Sequence, residues 1–420
     1  MVIHELIHKK IVENRTAVDQ WFETRGEGLA FPFYSSFDIR DSGEIVAPVD
    51  ANIFPAGFNN ICQVDKEGSV VLAKCFLDCH YGEDSKRIVL LTEEHTANLY
   101  YWDNVAALYD LLSGSGREVQ IALPKNLDAP LQLTSASGRE LTVHGAHLVD
   151  GEVTIEGKKA DLIVCNNDFS EAYEEWASAL RTPMNPPHTL GWHRRRKSEF
   201  FDWYNKLAGE FAEVIKIPSH ILQVETEIFK GFDVADEESR NQLAVKVEEF
   251  MSRLERKYAA NGVKHKPFVF VKNNAGTYGL AVIQARSGDE IRNWNYKSRK
   301  KMKASKGGRG VGEVIIQEGI PTSMTTEAET AEPAIYLIGC QLAGGFLRAH
   351  SKKGPDDSLN SPGAVFKRLC VSDLNISIEG APLENVYGWL AKLGVLAIAH
   401  EARDAGVEFR AYENCCPFPG

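Results

Sequence analysis

The stretch KPFVFVKNNAGTYGLAVIQAR, Lys266 to Arg286, constrains the fold more sharply than any other part of the chain. An apolar strand ends in Lys272, Asn273 to Gly279 form a turn holding two glycines, and a second apolar strand follows. Such a turn can fold its amides over anionic oxygens, and a lysine at the strand end adds a compact positive charge. It is neither a Walker loop nor a dinucleotide fingerprint, because no helix follows and the glycine spacing differs. An ordinary β-hairpin satisfies the same pattern.

The rest of the chain reads as alternating strands and helices. Phe31 to Arg40 is a strand, followed by a turn-rich segment dense in Asp, Asn, Gly and Pro. Then come a helix over Val70 to Cys79, a strand at Arg87 to Leu91, a helix around Ala97 to Leu112 and a strand at Glu118 to Leu123. A hairpin is expected over Leu141 to Ile155 and a further strand over Ala160 to Cys165. That order implies an α/β unit with a mainly parallel sheet. Prolines and glycines between Thr182 and Gly191 mark a boundary. Beyond it the pattern is mostly helical, with Leu243, Val247, Phe250 and Leu254 at helical period. A strand-rich unit runs from Lys266 to about Val371, and a helix spans Leu383 to Ala405. The expected fold is therefore α/β, in three parts. Residues 1–190 form an amino-terminal α/β unit, 191–262 a helical connector and 263–420 a strand-rich carboxyl-terminal unit.

With 420 residues, two or three packed units sharing one cleft are expected. No apolar run approaches the ~18 residues of a membrane helix, and the amino terminus reads as an amphipathic helix rather than a signal peptide. A net charge of −11 argues against general nucleic-acid affinity. Eight cysteines without framework spacing point to a reducing cytoplasm. Cys75, Cys79 and His80 lack a distal second pair for zinc, which leaves free thiols on a buried helix face.

Three further segments bear on chemistry. Glu313 to Ile320 (EVIIQEGI) is an apolar strand ending in Gln317, Glu318 and Gly319. Ala331 to His350 reads as two strands around Gly344 and Gly345, with Phe346 and Arg348 on one face, so that Arg348 projects either into a cleft or to solvent. In Arg40 to Asn60, rigid turns present Asp50, Asn52, Asn59 and Asn60. Asp50 can meet an ammonium and Arg40 a carboxylate, or the segment can be an Asx-rich loop satisfying its own backbone. HRRRKS, including Arg194, can meet a substrate carboxylate or a phosphate, or start a solvated helix. The basic stretch Ile291 to Arg309 is read as a lid or a solvated helix rather than a nucleic-acid surface.

Taken in order, these blocks resemble the third, bacterial type of glutamate–cysteine ligase, with an ATP-grasp-like carboxyl-terminal half. The matching blocks are APVDANIFPAGFNN, EEHTAN, GWHRRRKS, VKNNAGTYG, EVIIQEG, AEPAIYLI, GGFLRAH and LNSPGAVF. EEHTAN carries Ala97 where the family more usually has arginine, and Glu413 and Asn414 stand adjacent rather than spaced as in a late Glu-x-Asn. The resemblance implies a cytoplasmic ligase that uses ATP and Mg²⁺ to make γ-glutamylcysteine from L-glutamate and L-cysteine through a glutamyl phosphate. It also implies that residues 1–190 are a substrate domain and 263–420 a nucleotide-binding region. Lys272 would hold phosphates, with Gly276, Thr277 and Gly279 covering them, and Gln317, Glu318, Gly319 and Ile320 would form the adenine hinge. Arg348 would act with Lys272 on the reacting phosphate, and Glu332 and Asn360 would serve the metal. Arg40, Asp50, Asn52, Asn59 and Arg194 are the candidates for the amino-acid substrates. A ligase for another acid and amine, or a scaffold without turnover, remains the alternative.

Overall fold

The computed structural model describes residues 3–94, 98–276, 279–303, 311–370, 376–378, 381–383 and 385–409. Three sheets carry the architecture. The first contains β3 (Arg87–Leu91), β4 (Glu118–Leu123), β5 (Leu131–Thr134), β6 (Glu140–Gly145), β10 (Leu162–Cys165) and β11 (Met184–Asn185), in the order β11-β10-β3-β4-β6-β5. All its neighbours are parallel except β5 on β6. β10 is buried along its whole length, as a parallel strand covered on both faces should be. Helices α3 (Gln63–Tyr81) and α4 (Leu99–Gly114) pack against each other, and their apolar faces share a core with β3, β4 and β10.

The second sheet joins the two ends of the chain. β1 (Tyr34–Asp41) and β2 (Val46–Asn52) are antiparallel to each other, and β1 pairs in turn with β17 (Glu329–Ile338). β18 (Gln341–His350) and β19 (Val365–Leu369) complete the order β19-β18-β17-β1-β2, and β16 (Thr325–Thr326) pairs with β17. Along β1 the alternation is sharp: Phe37 and Ile39 lie in the core shared with the carboxyl-terminal helix α10 (Val386–Asp404), while Asp38 and Arg40 take the opposite face. Residues 1–190 thus supply strands to two sheets. The third sheet, β12-β15-β13-β14, holds β12 (Thr226–Lys230), β13 (Val269–Asn273), β14 (Val282–Ala285) and β15 (Glu313–Glu318).

Among the helices, α7 (Glu237–Asn261) follows the expected period and buries Leu243, Val247, Phe250 and Leu254. Asp236 caps it by accepting from Glu238 N and Ser239 N, and Gly262 ends it at φ +70°. α6 (Lys197–Val214) lies against α10. The amino-terminal amphipathic segment is two helices, α1 (Ile3–Glu13) and α2 (Arg15–Gly26), rather than one. α5 (Glu174–Ala179), α8 (Gly288–Arg292) and α9 (Tyr296–Lys303) are short. Small ribbons are made by β7 (His147–Val149), β8 (Glu152–Ile155) and β9 (Lys158–Lys159), and by β20 (Ile376–Ile378) with β21 (Ala381–Leu383). No helix among the described residues is long and apolar enough to cross a membrane.

Three expectations change. The hairpin over Leu141 to Ile155 is narrower: residues 140–145 join the parallel sheet, and β7 and β8 alone pair across Asp150 and Gly151. Gly344 and Gly345 do not form the turn between β17 and β18, which lies instead at Gly339 and Cys340. The glycine pair sits inside β18 because of crowding: a Cβ on Gly344 would come within 2.5 Å of Ile61, and one on Gly345 within 2.9 Å of the Ala334 carbonyl. The cysteines are not uniformly free thiols. Cys62 and Cys370 form a disulfide, Cys79 is also disulfide-bonded, and Cys75 is free but exposed rather than on a buried face.

Helix α10 approaches β1 most closely at Gly394, where a Cβ would lie 2.4 Å from the Phe37 ring. Gly394→Ala should therefore destabilise the protein by about 1–3 kcal/mol, overpacking outweighing the gain in helix propensity. Urea denaturation reads this as a lower midpoint, and an unchanged or higher midpoint would contradict this packing.

Candidate active site

The third sheet faces the second across a cleft. Phe270 and Lys272 of β13, Val282 of β14 and the glycines Gly276 and Gly279 line one wall. Asp38, Arg40, Val49, Asp50 and Glu332 line the other, with Ser358 and Asn360 at the rim. Gly279 has φ +65°, and a Cβ there would lie 2.9 Å from the Asn360 carbonyl. Glycine thus lets the turn close against the loop that precedes β19. Asn274 anchors the turn from below: its carbonyl accepts from Lys197 N, its Oδ1 from Ser198 N, and its Nδ2 donates to Ser198 Oγ at 2.9 Å and Glu313 Oε1 at 2.5 Å. The same contacts set the first turn of α6 at the cleft.

The floor is a chain of buried charges. Glu332 on β17 stands opposite Arg348 on β18. Arg348 Nη1 donates to Glu332 Oε1 at 2.7 Å and to Asp38 Oδ2 at 2.8 Å, and its Nη2 donates to Asp38 Oδ1 at 3.1 Å. Arg40 Nε lies 2.5 Å from Glu332 Oε2, while its Nη atoms donate to the Pro355 and Asp357 carbonyls. Burial raises both carboxyls. For Glu332 the two flanking guanidinium groups prevail and hold it below its ordinary range; Asp38 has one arginine and stays raised.

Lys197 and Lys272 bring charge into the cleft from opposite sides. Lys197 Nζ pairs with Asp50, and Lys272 Nζ donates to the Val49 carbonyl at 2.9 Å. Burial pulls Lys272 down to about 8, against the attraction of Asp50 and with the help of Lys197. Asp50 is lowered overall: burial raises it, but Lys197 and Lys272 outweigh that. Two lysines against one aspartate leave the mouth of the cleft suited to an anion.

A second cleft lies beside the first and shares Asp50 and Asn360 with it. Asn52 comes from the end of β2, Phe54, Pro55 and Ala56 from the loop after it, Asp168 and Trp192 from the side of the parallel sheet, and Phe346, Arg348 and Phe366 from β18 and β19. Two buried asparagines hold the Pro55–Phe58 loop. Asn104 Oδ1 accepts from Gly57 N and Phe58 N, Asn166 Nδ2 donates to the Pro55 carbonyl, and the two amides bond each other at 3.0 Å.

The residues singled out from sequence fall in several places. Lys272, Gly276, Gly279, Asp50, Arg40, Glu332 and Asn360 meet in the first cleft, and Asp50, Asn52, Arg348 and Asn360 meet in the second. Thr277, Ala97 and the tail residues Glu413 and Asn414 lie outside the described residues. Gln317 Nε2 donates to the Val49 carbonyl at 3.2 Å. Glu318 turns away from the cleft: it accepts from Glu225 N and pairs with Lys257 at 3.0 Å. Gly319 is a packing glycine, since a Cβ would overlap the Phe268 ring, and Ile320 is core. Asn59 bonds Asn60 and receives Lys66 on its carbonyl, and Arg194 is exposed; neither lines a cleft. Of the HRRRKS charges, Lys197 enters the site. Arg195 forks onto Glu401 at 2.8 and 3.1 Å and holds the Ala51 carbonyl. Asp38, Lys197, Asp168 and Trp192 were not singled out. The polar face of β1, Asp38 with Arg40, was the available signal for the first.

A family profile described as Glutamate-cysteine ligase matches residues 8–402. The crystal structure of "Putative gamma-glutamylcysteine synthetase" from Methylobacillus flagellatus KT superposes with a TM-score of 0.82 at 32% identity, covering 96% of this chain and 97% of that one. D-alanyl-alanine synthetase A from Vibrio cholerae O1 biovar eltor str. N16961 reaches a TM-score of 0.27 at 11% identity, over 60% of this chain and 67% of that one. No curated protein matches the chain. The chain belongs to the glutamate–cysteine ligase family and is an enzyme of the ligase class.

Removing Arg348 would strand the buried Asp38 and leave Glu332 with Arg40 alone, so Arg348→Met should cost about 3–5 kcal/mol at neutral pH. In that variant Asp38 should titrate above its unfolded value. The folded state then binds more protons than the unfolded one, and stability should rise as pH falls from 8 to 5. Denaturant unfolding across that range checks the slope, and a variant whose stability falls on acidification would contradict the pairing.

Proposed function

We propose that this chain joins L-glutamate to L-cysteine with the conversion of ATP to ADP and phosphate. The γ-carboxylate of glutamate attacks the terminal phosphorus, and ADP leaves. The cysteine nitrogen then attacks the acyl carbon, the bond from carbon to the phosphate oxygen breaks, and phosphate departs with the bonding pair. One observation carries the reading: two lysines and a glycine turn converge on a cleft whose far wall is a rigid, internally neutralised charge chain. Lys272 and Lys197 would bind the phosphates, and Gly276 and Gly279 would lie over them. Val49, Phe270 and Val282 offer apolar walls for the base, next to the end of β15 at Gln317.

The oxygen donors of Asp38, Glu332 and Asn360 suit a hard cation, and the carboxylates retain lone pairs beyond those their arginines occupy. These three residues would hold Mg²⁺, which when bound neutralises charge on the phosphates. The α-carboxylate of glutamate would need a cation, and the γ-carboxylate would reach the phosphate where the two clefts meet. Held on strands, Lys272 and the Arg348 chain would keep their geometry through turnover. Demand for ATP favours a cytoplasmic setting. The Cys62–Cys370 bond weighs against that placement, since disulfides are rare in reducing compartments.

Phosphate release should require glutamate and cysteine together, and mass spectrometry should find a γ-linked dipeptide. Release with glutamate and a different amine would change the substrate, and no release with any amino acid would sink the proposal. Lys272→Ala should lower kcat/KM for ATP by about 100-fold or more with thermal stability kept. In the free enzyme Lys272 sits at about 8, so kcat/KM for ATP should fall as pH rises through that value and the charge is lost. Lys272→Arg should move that limb upward. A flat profile to pH 10 in the unmodified protein would remove Lys272 from phosphate binding.

A further inference from the structure

We propose that the second cleft is the acceptor site, built for a small thiol-bearing α-amino acid. In this assignment Asp168 receives the ammonium, and Phe346 and Phe366 lie against the sulfur. The proposal rests on the ligase reading above and adds where the amine binds and what selects it.

Topology points there first. In the parallel sheet the chain runs from β3 to β4 on one side and later returns to β10 on the other side of β3. The crevice outside the carboxyl ends of β3 and β10 is thus the switch point at which open α/β sheets bind ligands. Asp168 stands three residues past the end of β10 and lines the second cleft. It is held in place: its N–H donates to Glu93 Oε1 at 3.1 Å, its Oδ1 accepts from Ser170 N and Oγ at 3.0 and 2.9 Å, and its carbonyl accepts from Trp192 N at 2.9 Å.

Charge separates the acceptor from the donor. Among the described residues lining this cleft, Asp50 and Asp168 are the acids and Arg348 is the only cation, already engaged by Asp38 and Glu332. Asp50 is itself paired with Lys197, so the second carboxylate of glutamate would find no further cation in this lining. An amino acid with an uncharged side chain brings one carboxylate and an ammonium, a closer match.

Four aromatic rings, Phe54, Trp192, Phe346 and Phe366, share the lining. Phe346 and Phe366 meet edge to face at 5.1 Å between centroids, and Phe366 is 50% exposed. A half-exposed phenylalanine ring at a polar cleft offers a soft contact surface that sulfur suits better than a hydroxyl does. The shared residues Asp50 and Asn360 place this cleft next to the phosphate groups. In the reaction, Asp168 takes one proton from the ammonium, and the freed nitrogen pair forms the bond to the acyl carbon. The bond from carbon to the phosphate oxygen then breaks and the nitrogen sheds a second proton. One of the two protons ends on the departing phosphate and the other passes to water.

Hydroxylamine separates the two halves of the chemistry, because it can trap the acyl phosphate without needing a shaped pocket. With ATP and glutamate, Asp168→Asn and Phe366→Ala should both form γ-glutamyl hydroxamate at rates within about 2-fold of the unmodified protein. Asp168→Asn should raise KM for cysteine by about 10-fold or more, the loss of one charge-assisted hydrogen bond, with partial recovery in Asp168→Glu. Phe366→Ala should reduce the preference for cysteine over 2-aminobutyrate by about 3- to 10-fold. Intact hydroxamate formation with unchanged cysteine KM and unchanged preference overturns the assignment. Parallel loss of hydroxamate and dipeptide in Asp168→Asn overturns it too, moving Asp168 to the glutamate side. No hydroxamate from the unmodified protein overturns the ligase reading and this inference with it.

Discussion

Asp38, Arg40, Glu332 and Arg348 bond to one another in the interior of the second sheet, across residues nearly three hundred positions apart in the chain. Taking four charges out of water is costly, and such chains seldom add net stability over an apolar replacement. Their effect is geometric. Each guanidinium is planar and donates to its carboxylates in a fixed orientation, which favours one register of β1 beside β17. The β1–β2 hairpin then carries Val49 and Asp50 to the third sheet, where Lys272 of its interior strand β13 meets them. Because the chain is internally neutral, the positive excess of Lys197 and Lys272 over Asp50 is left facing the cleft.

Much of this was legible in the sequence, and the reasons differ from place to place. Strands at Arg87–Leu91 and Glu118–Leu123 appear as expected because apolar runs bounded by turn residues determine them locally. Lys272 and the glycines of its turn could be singled out because a strand-ending lysine before a glycine turn is a local pattern. What pairs with what was not local. Nothing in Phe31 to Arg40 announces that it lies beside Glu329–Ile338. Asp38 looked like one more polar residue on an alternating strand. Among HRRRKS, four similar charges met four different environments: Arg194 in solvent, Arg195 on buried Glu401, Arg196 on nearby carbonyls and Lys197 in the cleft. Packing partners decide among them, and those come from elsewhere in the chain. The glycines at 319, 344 and 345 show the same limit: each is required by a neighbour's bulk rather than by a turn.

The two clefts share a wall, and that arrangement suits a two-step transfer. An acyl phosphate formed beside Lys272 need move only past Asp50 and Asn360 to meet an amine held by the parallel sheet. Such proximity is worth much of the barrier in a bimolecular step, and it limits contact of the intermediate with water. Gly279 packed on the Asn360 carbonyl couples the glycine turn to the loop that borders both clefts. The parallel sheet supplies one side of the second cleft and the paired ends of the chain supply the other, so neither sheet alone forms it.

The most direct test of this division is a crystal structure of the protein with ADP and γ-glutamylcysteine. The account predicts the diphosphate at Lys272 and Lys197, the base between Val49 and Phe270, and the dipeptide in the neighbouring cleft. Its amide should lie beside Asp50 and Asn360, with the thiol against Phe346 and Phe366. Nucleotide in the second cleft, or a dipeptide bound away from Asp168 and the aromatic wall, would contradict it.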